Sequence, residues 1–236
     1  PPRKKTAAAP SLQNSEENIA NLQNEVSALE KEVYKAAKEI SARRIESAGK
    51  MSSCVEEILS KLGMSGTKFS VNIQEKPGTE VIQKCGPYGL DNIEFLISAN
   101  PGSPLLPLAK IASGGELSRV MLALKTVFAE GDSVPTMIFD EIDTGIGGEV
   151  AVSVGSHIKK LAKNRQIFCI THLASIAVYA DNQIKIQKGV NNEMTSTSVT
   201  PIEGEARVAE IARMLSGDAA SAESLGHAKA MLEKFS

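Results

Sequence analysis

Three carboxylates, Asp140, Glu141 and Asp143, stand within the stretch Met137–Gly148, which reads MIFDEIDTGIGG. The apolar run Met137, Ile138 and Phe139 precedes them and a glycine-rich turn follows. A short apolar run behind Pro135 predicts a buried strand of a parallel sheet. Acids at its end would lie at the carboxyl edge, where open α/β sheets place their ligands. Two adjacent carboxylates can divide labour: one holds magnesium through its hydration shell while the other orients or deprotonates water. An acidic strand-to-loop turn on the surface is the other reading of this pair.

Two further groups could do chemistry. Ile111–Arg119 (IASGGELSR) opens a predicted helix in which Ser113 is an N-cap candidate and Glu116 completes a capping box. Gly114 and Gly115 have no side chains to obstruct an approach, and a helix N-terminus with free N–H groups attracts anions. An ordinary well-capped helix explains the same residues. Gln166–Thr171 (QIFCIT) reads as a second buried strand, with Cys169 as a small core residue and His172 at its end.

These groups need elements to position them. Each apolar strand ends in polar residues and is followed by a helical pattern, Glu149–Asn164 and then Leu173–Tyr179. That is the β-α-β-α order of a parallel sheet, which would set Asp140, Glu141 and His172 along one edge. Upstream, Lys68–Glu75 and Asn92–Ala99 alternate as strands, and Asn100–Pro107 is predicted to be a loop. The helix after Ser113 should bury Leu117, Met121, Leu124 and Phe128. Downstream, Asn182–Lys188 and Met194–Pro201 suggest a hairpin turning at Gly189–Asn192, and Glu205–Leu215 and Ala222–Phe235 suggest closing helices. His157 and His227 read as surface or packing residues.

Residues 1–11 read as a disordered lead-in in which Arg3, Lys4 and Lys5 could meet phosphate, residues 12–62 as a long helix, and residues 63–236 as an α/β lobe. In the helix, Ile19, Leu22, Val26, Leu29, Val33, Ala36 and Ile40 form a heptad seam; after a stutter through Arg44, Ala48, Met51, Val55, Ile58 and Leu62 resume it. Such a seam asks for a partner helix, and Gly63 is a suitable C′ residue. A net charge of −2 gives no global pull toward nucleic acid, so a DNA contact would have to be local. Lys159, Lys160, Lys163 and Arg165 are one such cluster, or simply a solvated face. Cys54, Cys85 and Cys169 show neither zinc nor disulfide spacing, which favours a reducing cytosol. No apolar run approaches the ~20 residues that span a bilayer.

The motifs KIASGGELSR (110–119), FDEIDTGIGG (139–148) and CITHLASIA (169–177), with FLISANPG (95–102) and EIARMLSG (210–217), resemble the C-terminal lobe of an ABC-type ATPase head. Within that class the chain is similar to the RecN family, SMC-like proteins of bacterial double-strand-break repair, over nearly its whole length. The resemblance implies ATP and Mg²⁺ as cofactors. Ser113, Gly114 and Gly115, with Glu116, would form the ATP-binding signature loop that donates to the γ-phosphate held on an opposing head. Asp140 would hold the metal, Glu141 would polarise water, Asp143 would open an ATP-contacting D-loop, and His172 would be the switch histidine. It also implies a second copy of the head in a homodimer, DNA as double-strand-break ends or single strands, a cytoplasmic, nucleoid-associated location and no membrane.

Two departures stand out. Gly147 occupies a D-loop position where SMC relatives have an acid and RecN commonly serine. No GxxxxGK[ST] phosphate loop occurs, Gly63–Lys68 (GMSGTK) having the wrong spacing. With no Met at its start, the chain reads as the second half of a split head, expected to lack turnover until an N-terminal lobe carrying that loop joins it. A coiled-coil interaction protein with a vestigial ATPase half, or a transporter ATPase subunit, are the rival readings.

Overall fold

The computed structural model describes residues 9–191, 194–217 and 221–235. Two compact units divide the chain: Pro1–Lys50 with Ser70–Phe95, and Met51–Phe69 with Leu96–Ser236.

The first unit holds most of α1 (Ala9–Lys61), a 53-residue helix. It starts inside the stretch expected to be disordered; residues 1–8, with Arg3, Lys4 and Lys5, lie outside the described residues. Along its outer part the seam is bare: Ile19, Leu22, Val26, Leu29 and Val33 are 49–60% exposed. Lower down, Ala37 and Ser41 are buried. There Asp91 accepts from Ser41 Oγ at 2.7 Å and from Arg44 Nη1 at 2.8 Å, its carboxylate only 1% exposed. Glu75 receives Lys38 Nζ at 2.7 Å and Lys84 Nζ at 3.0 Å. The link between the strands carries a short helix, α2 (Val81–Lys84).

Strands β1 (Lys68–Glu75), β2 (Asp91–Ser98) and β3 (Leu106–Pro107) form one sheet in that order. The predicted loop Asn100–Pro107 thus ends in a strand, with Leu96 opposite Pro107 and Ile97 opposite Leu106. Proline is tolerated there because an edge strand can spare one donor.

In the second unit Val55, Leu59 and Leu62 are fully buried, and Gly63 turns the chain at φ +79°. A Cβ at Gly63 would lie 2.7 Å from Val150 Cγ1, so a side chain is excluded by both space and conformation. Helix α3 (Gly114–Val127) buries Gly115, Arg119, Val120, Leu122, Ala123 and Leu124. The face expected from hydropathy is displaced: Leu117 is 38% and Phe128 44% exposed. Two glycine- and alanine-sized positions, Gly115 and Ala123, let the inner face approach closely, and Phe128 has already left the helix as its C-cap.

The core pair is parallel. Strand β4 (Thr136–Phe139) runs beside β5 (Gln166–Cys169), with Thr136 opposite Gln166 and Phe139 opposite Cys169, across helix α4 (Gly148–Leu161). Both strands were expected to be buried throughout; each is covered on one face only. Met137 and Phe139 point inward, whereas Ile138 is 68% exposed, and Phe168 and Ile170 face outward with it. Successive strand residues alternate faces, and among the described residues helices cover only one. After α5 (Ala174–Ala177), β6 (Gln183–Asn191) and β7 (Met194–Ile202) form an antiparallel hairpin, paired through Gly189 where a turn was expected. Helices α6 (Gly204–Ser216) and α7 (Ala222–Phe235) close the unit over Ala174, Val178, Ile211, Ala212 and Ala228. Among the described residues no helix is long and apolar enough to cross a membrane.

Candidate functional site

The site begins where β4 stops. Ile170 N–H donates to Phe139 O at 2.9 Å, the last rung of the ladder, and the acids follow at once. Asp140 is exposed, and its Oδ1 accepts from Glu141 N–H at 2.9 Å. Glu141 has φ +56°, the one positive value among the described non-glycine residues. A glutamate in that region is costly and persists where its surroundings over-determine it. The surroundings are a tight turn: Thr144 N–H reaches Glu141 O at 3.0 Å and Ile146 N–H reaches Asp143 O at 3.3 Å. Ile142 is fully buried and anchors it.

Helix α3 is laid against this turn. Ser113, its N-cap, accepts from Glu116 N–H at 3.4 Å, the serine side of the expected capping box. A Cβ on Gly114 would collide with the Glu141 carboxylate; one on Gly115 would come within 3.0 Å of both Glu141 O and Thr144 Cβ. The two glycines are therefore required by close packing inside the chain, apart from any ligand. One turn on, Ser118 Oγ donates to Asp140 O at 2.7 Å. Arg119 Nη1 donates to Ile142 O at 3.3 Å and Thr144 O at 3.0 Å. Arg119 is 6% exposed; burial lowers its pKa, and the nearby Glu116 carboxylate partly opposes this.

Asp143, expected to open an ATP-contacting D-loop, is buried and turned inward. Its Oδ2 accepts from Thr171 Oγ1 at 2.6 Å and His172 N–H at 2.8 Å, and lies 3.0 Å from His172 Nδ1. Thr171 Oγ1 in turn accepts from Leu173 N–H at 3.0 Å at the start of α5. His172 itself stays 75% exposed. Beneath them, burial pushes the Cys169 thiol up to about 12, and the Asp143 and Asp140 carboxylates add to it.

Gly114, Gly115, Asp140, Glu141, Asp143 and His172 thus share one edge of the parallel pair. Hydropathy reading missed Ser118, Arg119 and Thr171. An arginine four residues after Gly115, on the helix face that packs, is the one sequence signal that could have found Arg119. Of the basic cluster, Arg165 Nη2 donates to Ala129 O at 2.6 Å with its side chain 6% exposed and Lys159 pairs with Asp181 at 2.7 Å, while Lys160 and Lys163 are exposed.

Among the described residues no three His, Cys, Asp or Glu side chains converge as a metal cage. The donors suit magnesium in another way. Mg²⁺ keeps most of its waters and takes one or two carboxylates plus substrate phosphates, and Asp140 offers an exposed carboxylate at this edge.

No protein-family model matches the chain. It is 50% identical over 211 residues to the DNA repair protein RecN of Treponema pallidum, covering 89% of this chain and 37% of that protein. Against RecN of Streptomyces coelicolor it is 39% identical over 212 residues, 87% of this chain and 37% of the relative. Against RecN of Vibrio cholerae it is 34% identical over 221 residues, 94% and 39% respectively. The chain spans under two-fifths of the length of these curated relatives. Among solved structures it is similar to the Smc head domain with an extended coiled coil from Pyrococcus furiosus, bound there to the C-terminal domain of ScpA. The TM-score is 0.52 at 19% identity, over 81% of this chain and 44% of that one. The Smc head with a coiled coil and joint from Pyrococcus yayanosii gives 0.50 at 19% identity, over 88% and 34%. At this identity the likeness shows the fold alone, that of these head domains, here preceded by the long helix α1.

Proposed function

This chain matches the C-terminal portion of the RecN family, and from that premise we propose that it is one half of an ATPase head acting in recombinational repair of DNA double-strand breaks. The observation that carries the reading is the convergence of the Ser113–Gly115 helix start, the Asp140–Glu141 pair and His172 at one sheet edge.

Each group then has a task its surroundings suit. The free N–H groups at the start of α3, with Ser113, receive the γ-phosphate of an ATP held by a second copy. Asp140 holds Mg²⁺, which when bound neutralises the phosphate charge. Glu141, fixed by a tight turn, orients the attacking water. Asp143 holds His172 by one ring nitrogen, so that the other faces the phosphate. A phosphate loop comes from an N-terminal lobe. The open strand faces support that assembly: a groove of about 920 Å³ runs between β5 and β6, lined by Phe168, Ile170, Ile184 and Ile186 among others. DNA ends, in the cytoplasm, are the target of the dimer.

The test is Glu141→Gln in the complete two-lobe protein. Removing a positioned base should cut hydrolysis ~10²-fold or more while ATP still binds, trapping dimers on a sizing column and abolishing repair in cells. Hydrolysis at the wild-type rate would sink the reading. This chain by itself should show no turnover, and activity near that of the complete protein would sink the two-lobe assignment. The bare seam of α1 favours a second reading, a coiled-coil interaction protein with a vestigial head; under it, Glu141→Gln leaves repair intact.

A further inference from the structure

We propose that Ser118 and Arg119 form a relay by which the start of α3 sets the working geometry of Glu141 and His172; both are positioning residues. The inference rests on the ATPase reading above and deepens it.

Three consecutive alternate carbonyls of the acidic turn, those of Asp140, Ile142 and Thr144, are held by α3: the first by Ser118 Oγ at 2.7 Å, the others by Arg119 Nη1 at 3.3 and 3.0 Å. The helix therefore grips the turn on either side of both Glu141 and Asp143. Glu141 is kept at φ +56° between those anchors, with its carboxylate against Gly114. Asp143 passes the constraint to the next strand through Thr171 and His172. Both bonds leave one nitrogen, Nη1, whose hydrogens are fixed in the guanidinium plane, so the two carbonyls are held at a set spacing. Arg119 Nε, buried, has no hydrogen-bond partner among the described residues. Buried donors left unsatisfied are rare in native folds and each asks for an explanation. A displacement of α3 on gripping a nucleotide of the second copy thus reaches the water-orienting and phosphate-facing groups of its own copy.

The experiment compares wild type, Arg119→Lys, Arg119→Met and Ser118→Ala in the complete two-lobe protein, by ATP titration of steady-state hydrolysis and by thermal melting. Lysine keeps the charge but is shorter and lacks the planar guanidinium that fixes where the donors point; Ser118→Ala removes one anchor and leaves the core untouched. The expected result is turnover at saturating ATP lowered about 10-fold and a Hill coefficient falling from about 2 toward 1, with half-saturation changed less than about 3-fold. Melting temperatures of Arg119→Lys and Ser118→Ala should stay near wild type. Unchanged turnover and cooperativity in folded Arg119→Lys and Ser118→Ala would overturn the relay. Wild-type protein without any ATP hydrolysis would instead overturn the ATPase reading beneath it.

Discussion

One oxygen, Asp143 Oδ2, gathers the Thr171 hydroxyl, the His172 amide and the His172 ring nitrogen. Asp143→Ala would leave the part-buried Thr171 hydroxyl and His172 amide without their acceptor, at a cost of about 1–3 kcal/mol. His172→Ala should cost less than ~0.5 kcal/mol, because the ring is three-quarters exposed and leaves nothing buried unpaired. Urea denaturation of the 236-residue chain measures both; equal losses would show that the ring, not the carboxylate, holds the junction. Asp143 was legible in the sequence as one of three clustered acids, and His172 as the polar end of an apolar strand. Their bond was not. Glu141 enters the left-handed region and turns the chain, so the strand's alternation gives no guide to where the next side chains point. Residue types at close spacing report what chemistry is on hand, and the backbone torsion between them decides which acid faces water.

Helices α3 and α6 show how far periodicity carries an element. Helix α6 was found within a residue of its expected bounds and α3 starts after its expected N-cap, Ser113, yet the buried face of α3 differed from the hydropathy face. An apolar count cannot register Gly115, which is buried for want of a side chain, or Arg119, buried because it has carbonyls to bridge. Helix α6 holds its own buried charge. Glu210, 7% exposed, receives Arg213 at 2.6 Å and Lys185 at 2.6 Å. The Arg213 hydrogen bonds, joined by Lys185 and opposed by burial, hold its carboxyl below the usual glutamate range. The unfolded chain therefore binds the proton more readily, and stability rises with pH through this window. The contribution is complete above the unfolded value of about 4.3 and is lost as pH falls through the lower folded one. Glu210→Gln should lose ~2 kcal/mol near neutrality. It should also flatten that acid slope. Denaturation curves from pH 3 to 7 read both effects, and a slope unchanged by the substitution would assign it to other acids.

At the scale of the molecule, apolar pattern says that a strand or helix is covered but not by what. The alternation of β4 and the heptads of α1 read the same whether the cover is this chain or another, and the structure leaves Ile138, Phe168 and the outer seam bare. Ile138→Asp separates the cases. In the 236-residue chain it should shift stability by less than ~0.5 kcal/mol, being 68% exposed. In the complete protein, where the proposed N-terminal lobe covers that face, it should destabilise by several kcal/mol, as a buried unpaired charge does. Thermal melts of both proteins decide it; a neutral effect in the complete protein would leave the face uncovered. The root of the long helix holds a last consequence. Its outer tie, Lys38 to Glu75, lies in water and weakens as salt screens it. Its inner tie, Ser41 and Arg44 on a carboxylate only 1% exposed, is largely shielded from salt. A sideways load on the arm would therefore peel the root in sequence, like a zipper with one loose and one locked tooth. Ionic strength would set how far down the pull travels before it stops at Asp91.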